Sequence, residues 1–159
     1  MSLIAVLENN GEHFADIVLP ALADAGDVCS GGGTEQQGCA RYDNYDLIIL
    51  SPSYSGGAGG SCSALVIPDG ACPAAAYFTA ERVVTYGMSP RSTLTLSSLP
   101  TSSGGGGRAL LAVQRELTAS SGAVIEEQEL AVTMPGGIDA TLASAGGRLL
   151  LGLTDAGVS

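Results

Sequence analysis

His13 is the single histidine of the sequence and directly follows Glu12. An imidazole beside a carboxylate can move protons near neutral pH, because histidine titrates there. His13 is therefore a candidate general acid or base, and an exposed histidine at a helix start is the plainer reading. Nucleophilic catalysis would also need a serine or cysteine partner in space. The stretch SPSYSGGAGGSCS, Ser51–Ser63, offers amides and hydroxyls that could cradle an anion without a cation. Its candidate ligand residues are Ser51, Ser53, Ser55, Gly56 and Gly57. It is not a Gly-x-Ser-x-Gly elbow, since Ser51-Pro52-Ser53-Tyr54-Ser55 lacks both glycines. A mobile connector is the simpler reading of this stretch.

Glu126-Glu127-Gln128-Glu129 is the densest acidic run. On a strand, Glu127 and Glu129 would share a face opposite Glu126 and could meet a divalent cation or a basic partner. A solvated edge that discourages aggregation explains the run more simply. Gln114-Arg115-Glu116 is expected to pair with it across a hairpin, so that Arg115 balances carboxylates rather than substrate. Asp69, before Pro73, could cap a following helix.

Cys29, Cys39, Cys62 and Cys72 form two pairs, each separated by nine residues. The intervening SGGGTEQQG and SALVIPDGA are poor helices, which argues against stapled helical hairpins. The close spacing of zinc sites is also missing. Reduced thiols are expected in a cytosolic setting, with disulfides and a metal site as the alternatives.

Charge narrows the partners. Sixteen acidic residues face six basic ones, all arginine, for a formal net charge of −10. That balance argues against nucleic acid and anionic membranes, which require cationic surface. It also disfavours a polyphosphate site unless a metal or partner brings positive charge. No apolar run approaches the ~20 residues that span a membrane, and no secretory signal is visible at the start. The expected setting is cytoplasmic. The expected partner is a protein or a small molecule, and no motif implies a cofactor.

These residues need elements to position them. At 159 residues one domain is the simplest organisation, and such a chain buries roughly 68–70% of its unfolded surface. Leu3–Leu7 reads as a strand, Glu8-Asn9-Asn10-Gly11 as a turn, and Glu12–Ala25 as a helix kinked at Pro20 and stopped by Gly26. Cys29–Gly38 reads as a glycine-rich loop. Asp46–Leu50 is an apolar strand of a sheet covered on both faces. After Ser51–Ser63, a strand over Ala64–Ile67, a short helix over Pro73–Ala80 and a strand over Arg82–Tyr86 come in turn. This rhythm predicts an α/β fold with a mainly parallel sheet flanked by helices.

Later segments change character. Ser92–Ser98 alternates like a half-buried strand, and Pro100–Gly107 is a loop. Arg108–Thr118 and Ala123–Thr133 read as a hairpin around residues 119–122. Ile138–Leu153 closes the chain as a helix. Gly146 and Gly147 weaken it by roughly 1 kcal/mol each, which calls for tight packing there. The expected domain, 1–159, thus has a parallel part (1–90), a C-terminal antiparallel β extension (91–135) and a closing helix (136–159). An exposed sheet edge or helix would allow a homo-oligomer.

The segment LVIPDGACPAAAYFTAERVVTYGMSPRSTLTLSSL resembles the central domain of Mur ligases, which add amino acids to UDP-N-acetylmuramic acid using ATP. Leu65–Asp69 matches a strand and turn of that domain, Val83-Val84-Thr85-Tyr86-Gly87 a second strand, and Thr93–Leu99 a third. The hairpin over 108–133 and the helix after Pro135-Gly136-Gly137 are similar to the next elements of that domain. The resemblance implies a three-layer, P-loop or Rossmann-like fold. It would also imply Gly-x-x-Gly-Lys-Thr/Ser after the first strand, where lysine, amides and hydroxyl hold phosphates and magnesium. This chain has Glu8-Asn9-Asn10-Gly11-Glu12-His13 instead. Glu8 and Glu12 would repel a triphosphate, at roughly 1 kcal/mol per close pair even in water. No lysine exists for the carbamylated residue that some members use, and the separate substrate and amino-acid domains have no counterpart. The resemblance therefore implies a reduced, non-ligating relative: a pseudoenzyme that binds or regulates in bacterial cell-wall metabolism. The rival expectations are a small enzyme using the Ser/Gly loops, or the cysteines with His13, and a nucleotide-binding module with altered contacts.

Overall fold

Ile4, Ala5, Val6 and Leu7 are all fully buried, so strand β1 (Ser2–Leu7) reads as unbroken apolar sequence because both its faces are covered. In the computed structural model, residues 2–9, 11–31, 41–70, 72–98, 108–134 and 136–152 are described. The expected Pro100–Gly107 loop, residues 32–38 of the Cys29–Gly38 loop, and Cys39 lie outside them. Helix α1 (Phe14–Leu22) buries Phe14, Ala15, Val18 and Leu22, the spacing of one helical face. It is shorter than the expected Glu12–Ala25, because His13 takes a left-handed conformation at φ 63 and begins the helix from a turn.

Gly26 does not merely end the helix. It starts β2 (Gly26–Gly31), a strand parallel to β1 in register from Ser2↔Gly26 to Leu7↔Gly31. A Cβ at Gly26 would run into the Ser2 carbonyl, so glycine permits this close pairing. The strand escapes a pattern search because it is an edge, with polar residues left in water.

The chain continues through β3 (Arg41–Leu50), β4 (Gly59–Pro68), a 3-10 turn (Pro73–Tyr77), β5 (Phe78–Tyr86) and β6 (Leu94–Ser98). It then forms β7 (Arg108–Val113), β8 (Leu117–Thr118), β9 (Val124–Ile125), β10 (Gln128–Thr133) and helix α2 (Ile138–Leu150). The fold is α/β with an eight-stranded, mostly parallel sheet in the order β10-β7-β6-β5-β4-β3-β1-β2. Pairs from β2 to β6 are parallel, and β6–β7 and β7–β10 are antiparallel. β8 and β9 form a separate small ladder.

Several expected boundaries shift. Gly59–Ser63 is strand, not loop, and the expected Pro73–Ala80 helix is a 3-10 turn that hands over to β5 at Phe78. The long hairpin breaks at Gln114, whose side-chain amide donates to the carbonyls of Ser89 (3.2 Å) and Ser92 (2.7 Å). Register then sets Gln128 opposite Val113. Arg115 consequently makes no ion pair with Glu126, Glu127 or Glu129 among the described residues.

Both helices pack on one face of the sheet, in a core with Ile4, Val6, Leu47, Ile49, Val66, Leu94 and Leu111. The expectation of helices on both faces therefore fails for the described residues. The second core, around Ala5, Leu7, Ile48, Leu50 and Leu65, is roofed by Tyr54 and Ala58 of the β3–β4 connection and Ala74 of the 3-10 turn. Parallel neighbours usually need a connection of a dozen or more residues, commonly a helix. Residues 51–58 and 69–77 are too short for that: the first opens with a turn closed by Tyr54 N–H on the Ser51 carbonyl and the second holds the 3-10 turn.

The central strands change face at one line. Tyr45↔Cys62↔Ala80 pair across β3, β4 and β5, and so do Leu47↔Ala64↔Arg82, while Asp46, Ser63 and Glu81 between them have no register partners. Cys62 packs in the second core, yet Ala64 packs in the first. Residues two apart on a regular strand share a face, so the strands change face at this line, while the register shift between β3 and β4 falls earlier, between Tyr42 and Tyr45.

α2 lies deep. A Cβ on Gly146 would sit 2.5 Å from Leu94 Cδ1, and one on Gly147 would sit 3.0 Å from Leu47 Cδ2; close packing accounts for both glycines. Arg148, on the same helix, reaches the end of α1. It donates to the Ala21 carbonyl (2.9 Å) and forms a two-pronged pair with Asp24 (2.7 and 3.2 Å). No helix among the described residues is long and apolar enough to cross a membrane.

Candidate functional site

The order β2-β1-β3-β4-β5 places the topological switch point between β1 and β3, whose carboxyl ends form the usual ligand crevice of open α/β sheets. The turn after β1 and the Ser/Gly strap after β3 meet there. Ser51 N–H donates to the Leu7 carbonyl (2.9 Å) and sets the strap against β1. Asn9 then bridges the loops: its side-chain amide donates to the Ser53 carbonyl (2.6 Å) and its Oδ1 accepts from Ser55 N–H (3.2 Å).

Glu12 occupies the centre of this crevice. Its Oε1 accepts from the Ser51 hydroxyl (2.6 Å) and from Asn9 N–H (3.1 Å), and its Oε2 lies 3.4 Å from Ser53 N–H. Glu8 does the same for the helix: its Oε1 accepts from Ala15 N–H (2.9 Å) in the first turn of α1. A helix N-terminus and convergent amides form an anion site. Here the anion is supplied by the chain's own carboxylates.

The candidate ligand residues thus divide. Ser51 is fully buried and gives its hydroxyl to Glu12. Ser53 and Ser55 turn their N–H groups to Glu12 and Asn9. Gly56 lies against the Tyr54 ring, whose hydroxyl would be 2.6 Å from a Cβ there. Gly57 is exposed and joins none of these bonds. Because Tyr54 and Ala58 are buried in the second core, the strap is part of the packing, which corrects the mobile-connector reading.

His13 is not drawn into this constellation. Its Nδ1 faces Asp16 Oδ2 at 3.0 Å, and both side chains are largely exposed. No described hydrogen bond joins it to a serine or cysteine, so the sequence candidate for acid–base work stands apart from the hydroxyls. The buried Cys62 thiol is quiet too. Burial pushes the Cys62 thiol up to about 11. Cys29 Sγ lies 3.6 Å from the Tyr45 hydroxyl, and that hydrogen bond, with partial burial, pushes Tyr45 up to about 12. Cys29, Cys62 and Cys72 are free thiols.

A second knot lies beside the first. Tyr86, fully buried and stacked on Phe14 with centroids 6.5 Å apart, donates its hydroxyl to the Leu50 carbonyl at 2.7 Å. Asp69 Oδ2 accepts from the Ser92 hydroxyl (2.6 Å) and Ser89 N–H (3.1 Å). It pins the turn after β5 and does not cap the 3-10 turn, which has no side-chain cap. Burial, then the charges of Asp139, Glu12 and other nearby groups, holds the Tyr86 hydroxyl far above the ordinary tyrosine range. Partial burial, then Asp69 and Glu12, raises the Asp139 carboxyl. The carboxyl edge is thus a region of negative potential. Among the described residues no group of three or more His, Cys, Asp or Glu could hold a metal ion.

Sequence reasoning identified the acidic character of the first turn but missed Glu12 as an internal ligand and Asn9 as the bridge. The available signal was the glutamate itself, standing one turn before an apolar helix in place of a cation. Comparison with known proteins finds no matching family, curated protein or solved structure.

Proposed function

We propose that this chain is a non-ligating relative of the Mur ligase central domain, working in the cytoplasm as a binding or regulatory module tied to UDP-N-acetylmuramyl peptide metabolism. The observation that carries the non-ligating part is the Glu12 carboxylate, which takes up the amide and hydroxyl donors of the crevice. A triphosphate would have to displace it and then sit among Glu8, Glu12, Asp69 and Asp139 with no lysine to balance its charge. The family part rests on the sequence of 65–99. In keeping with it, the described residues of that stretch fold as the end of β4, a turn, a short 3-10 segment, β5 and β6.

The test is calorimetric titration with MgATP. The expected result is no saturable heat at millimolar nucleotide. Saturable micromolar binding would reverse the reading of the first loop and favour the nucleotide-binding alternative. Titration with UDP-N-acetylmuramyl peptides addresses the pathway separately, and saturable binding there is the expected result.

A further inference from the structure

We propose that the lower half of β5 is a docking edge for an extended peptide carrying basic side chains. This rests on a different part of the fold from the crevice and stands or falls independently of it. β5 pairs with β4 along almost its whole length, from Gly60↔Phe78 to Pro68↔Tyr86. On its other side it meets β6 only at Tyr86↔Leu94. Among the described residues no strand pairs with that side below Tyr86.

The direction of the free groups is set by the bonds at the top. Tyr86 offers its carbonyl to Asp69 N–H, on the β4 side, while Gly87 N–H donates to the Leu94 carbonyl, on the β6 side. Backbone groups alternate sides along a strand, so Val83 and Thr85 turn theirs toward β6. Thr93 N–H meets the Thr85 hydroxyl (3.0 Å) and closes the upper end. Val83 lies below that closure and is 55% exposed.

This edge borders a groove of about 450 Å³ lined by Glu81, Arg82, Val83, Thr93, Glu116 and Leu117, among others. Its shape suits strand addition, in which main-chain bonds give affinity and alternate side chains give selectivity. The charge decides the occupant. Glu81 and Glu116 are exposed and make no ion pair among the described residues, and Arg82 is the single cation among the lining residues. With a net charge of −10, a second copy is repelled and a cationic strand is attracted. Val83 offers apolar contact to its alternate residues.

The experiment uses the 15N-labelled chain, the probe peptide acetyl-(Lys-Val)4-amide and its counterpart acetyl-(Glu-Val)4-amide. The lysine peptide is expected to give saturable shifts at the amides of Arg82–Thr85 and Glu116–Thr118. The Val83 amide should exchange freely in the chain alone and gain at least about tenfold protection with the peptide. A Glu81→Gln, Glu116→Gln double variant, altered only at exposed positions, should bind at least about tenfold more weakly, a difference of ~1.4 kcal/mol. Three results would overturn the proposal: no shifts at this edge, equal shifts with the glutamate peptide, or a Val83 amide already protected in the chain alone. Sedimentation as a dimer with that amide protected would assign the edge to a second copy, against the proposal.

Discussion

Glu12→Ala isolates the internal anion. The Ser51 hydroxyl, 0% exposed, gives its hydrogen bond to Glu12 at 2.6 Å. Removing the carboxylate strands that hydroxyl in the core, at about 1–3 kcal/mol. The N–H groups of Asn9 and Ser53 lose the same acceptor, but both belong to residues in contact with water, so together they add about 1 kcal/mol at most. A loss of about 2–3 kcal/mol is expected, a large part of the 5–15 kcal/mol typical of a domain. Urea unfolding followed by circular dichroism measures it, since the chain contains no tryptophan. The vacated donors should then accept an external anion. Sulfate at ten times its dissociation constant would restore about 1.4 kcal/mol to the variant. Sulfate also stabilises folded chains generally, so the quantity to read is the excess gain of the variant over the unaltered chain, with sodium chloride matched for ionic strength. A loss below about 0.5 kcal/mol, or equal sulfate gains in both proteins, would refute the reasoning.

Arg148→Met should cost about 1–2 kcal/mol in urea unfolding, because the Ala21 carbonyl loses its donor and the exposed Asp24 loses a partner that solvent already screens. The Asp24 carboxyl is held below its ordinary value of 3.8 by its hydrogen bond to Arg148. Its contribution is therefore full above that value and fades as pH falls through the depressed one, and the variant should lack this acid-side slope. Gly146→Ala gains about 1 kcal/mol of helix propensity but drives a methyl to 2.5 Å from Leu94, so thermal melts should show a net loss of about 1 kcal/mol. Cys62, with its thiol near 11 and its side chain buried, should resist iodoacetamide at pH 8 in the folded chain and react once urea unfolds it, as read by mass spectrometry.

The parts of the fold legible in the sequence are those where burial and pattern coincide. Ile4–Leu7 and Leu47–Leu50 sit between two cores, and unbroken apolar runs announce them. α2 was visible from its start at Ile138, though it stops at Leu150 rather than at the expected Leu153, and its paired glycines announced a close neighbour. What escaped was structure imposed by pairing rather than by propensity. Gly59–Ser63 is poor strand sequence, yet it lies between β3 and β5 and is held on both sides. β2 is polar because it is an edge with one partner. The site divides in the same way. The acidity of the first turn could be read directly, whereas the meeting of Glu12 with Ser51 spans a sequence separation of 39 and depends on a strap whose end was hidden by the misread strand. His13 follows the plainer of its two readings, an exposed histidine at the start of a helix: its residue type is chemical, but its position is not.

The strap over 51–58 has a consequence for chain length. It carries no helix that can unwind, only the turn from Ser51 to Tyr54, so removing one residue from it leaves little slack to take up. The loss would be transferred to β4, where a slip of one position exchanges the residues of the two cores and would turn Ala64 and Val66 toward the wrong side. Among relatives of this chain, length variation should therefore gather elsewhere, and this interval should stay constant even where its composition drifts.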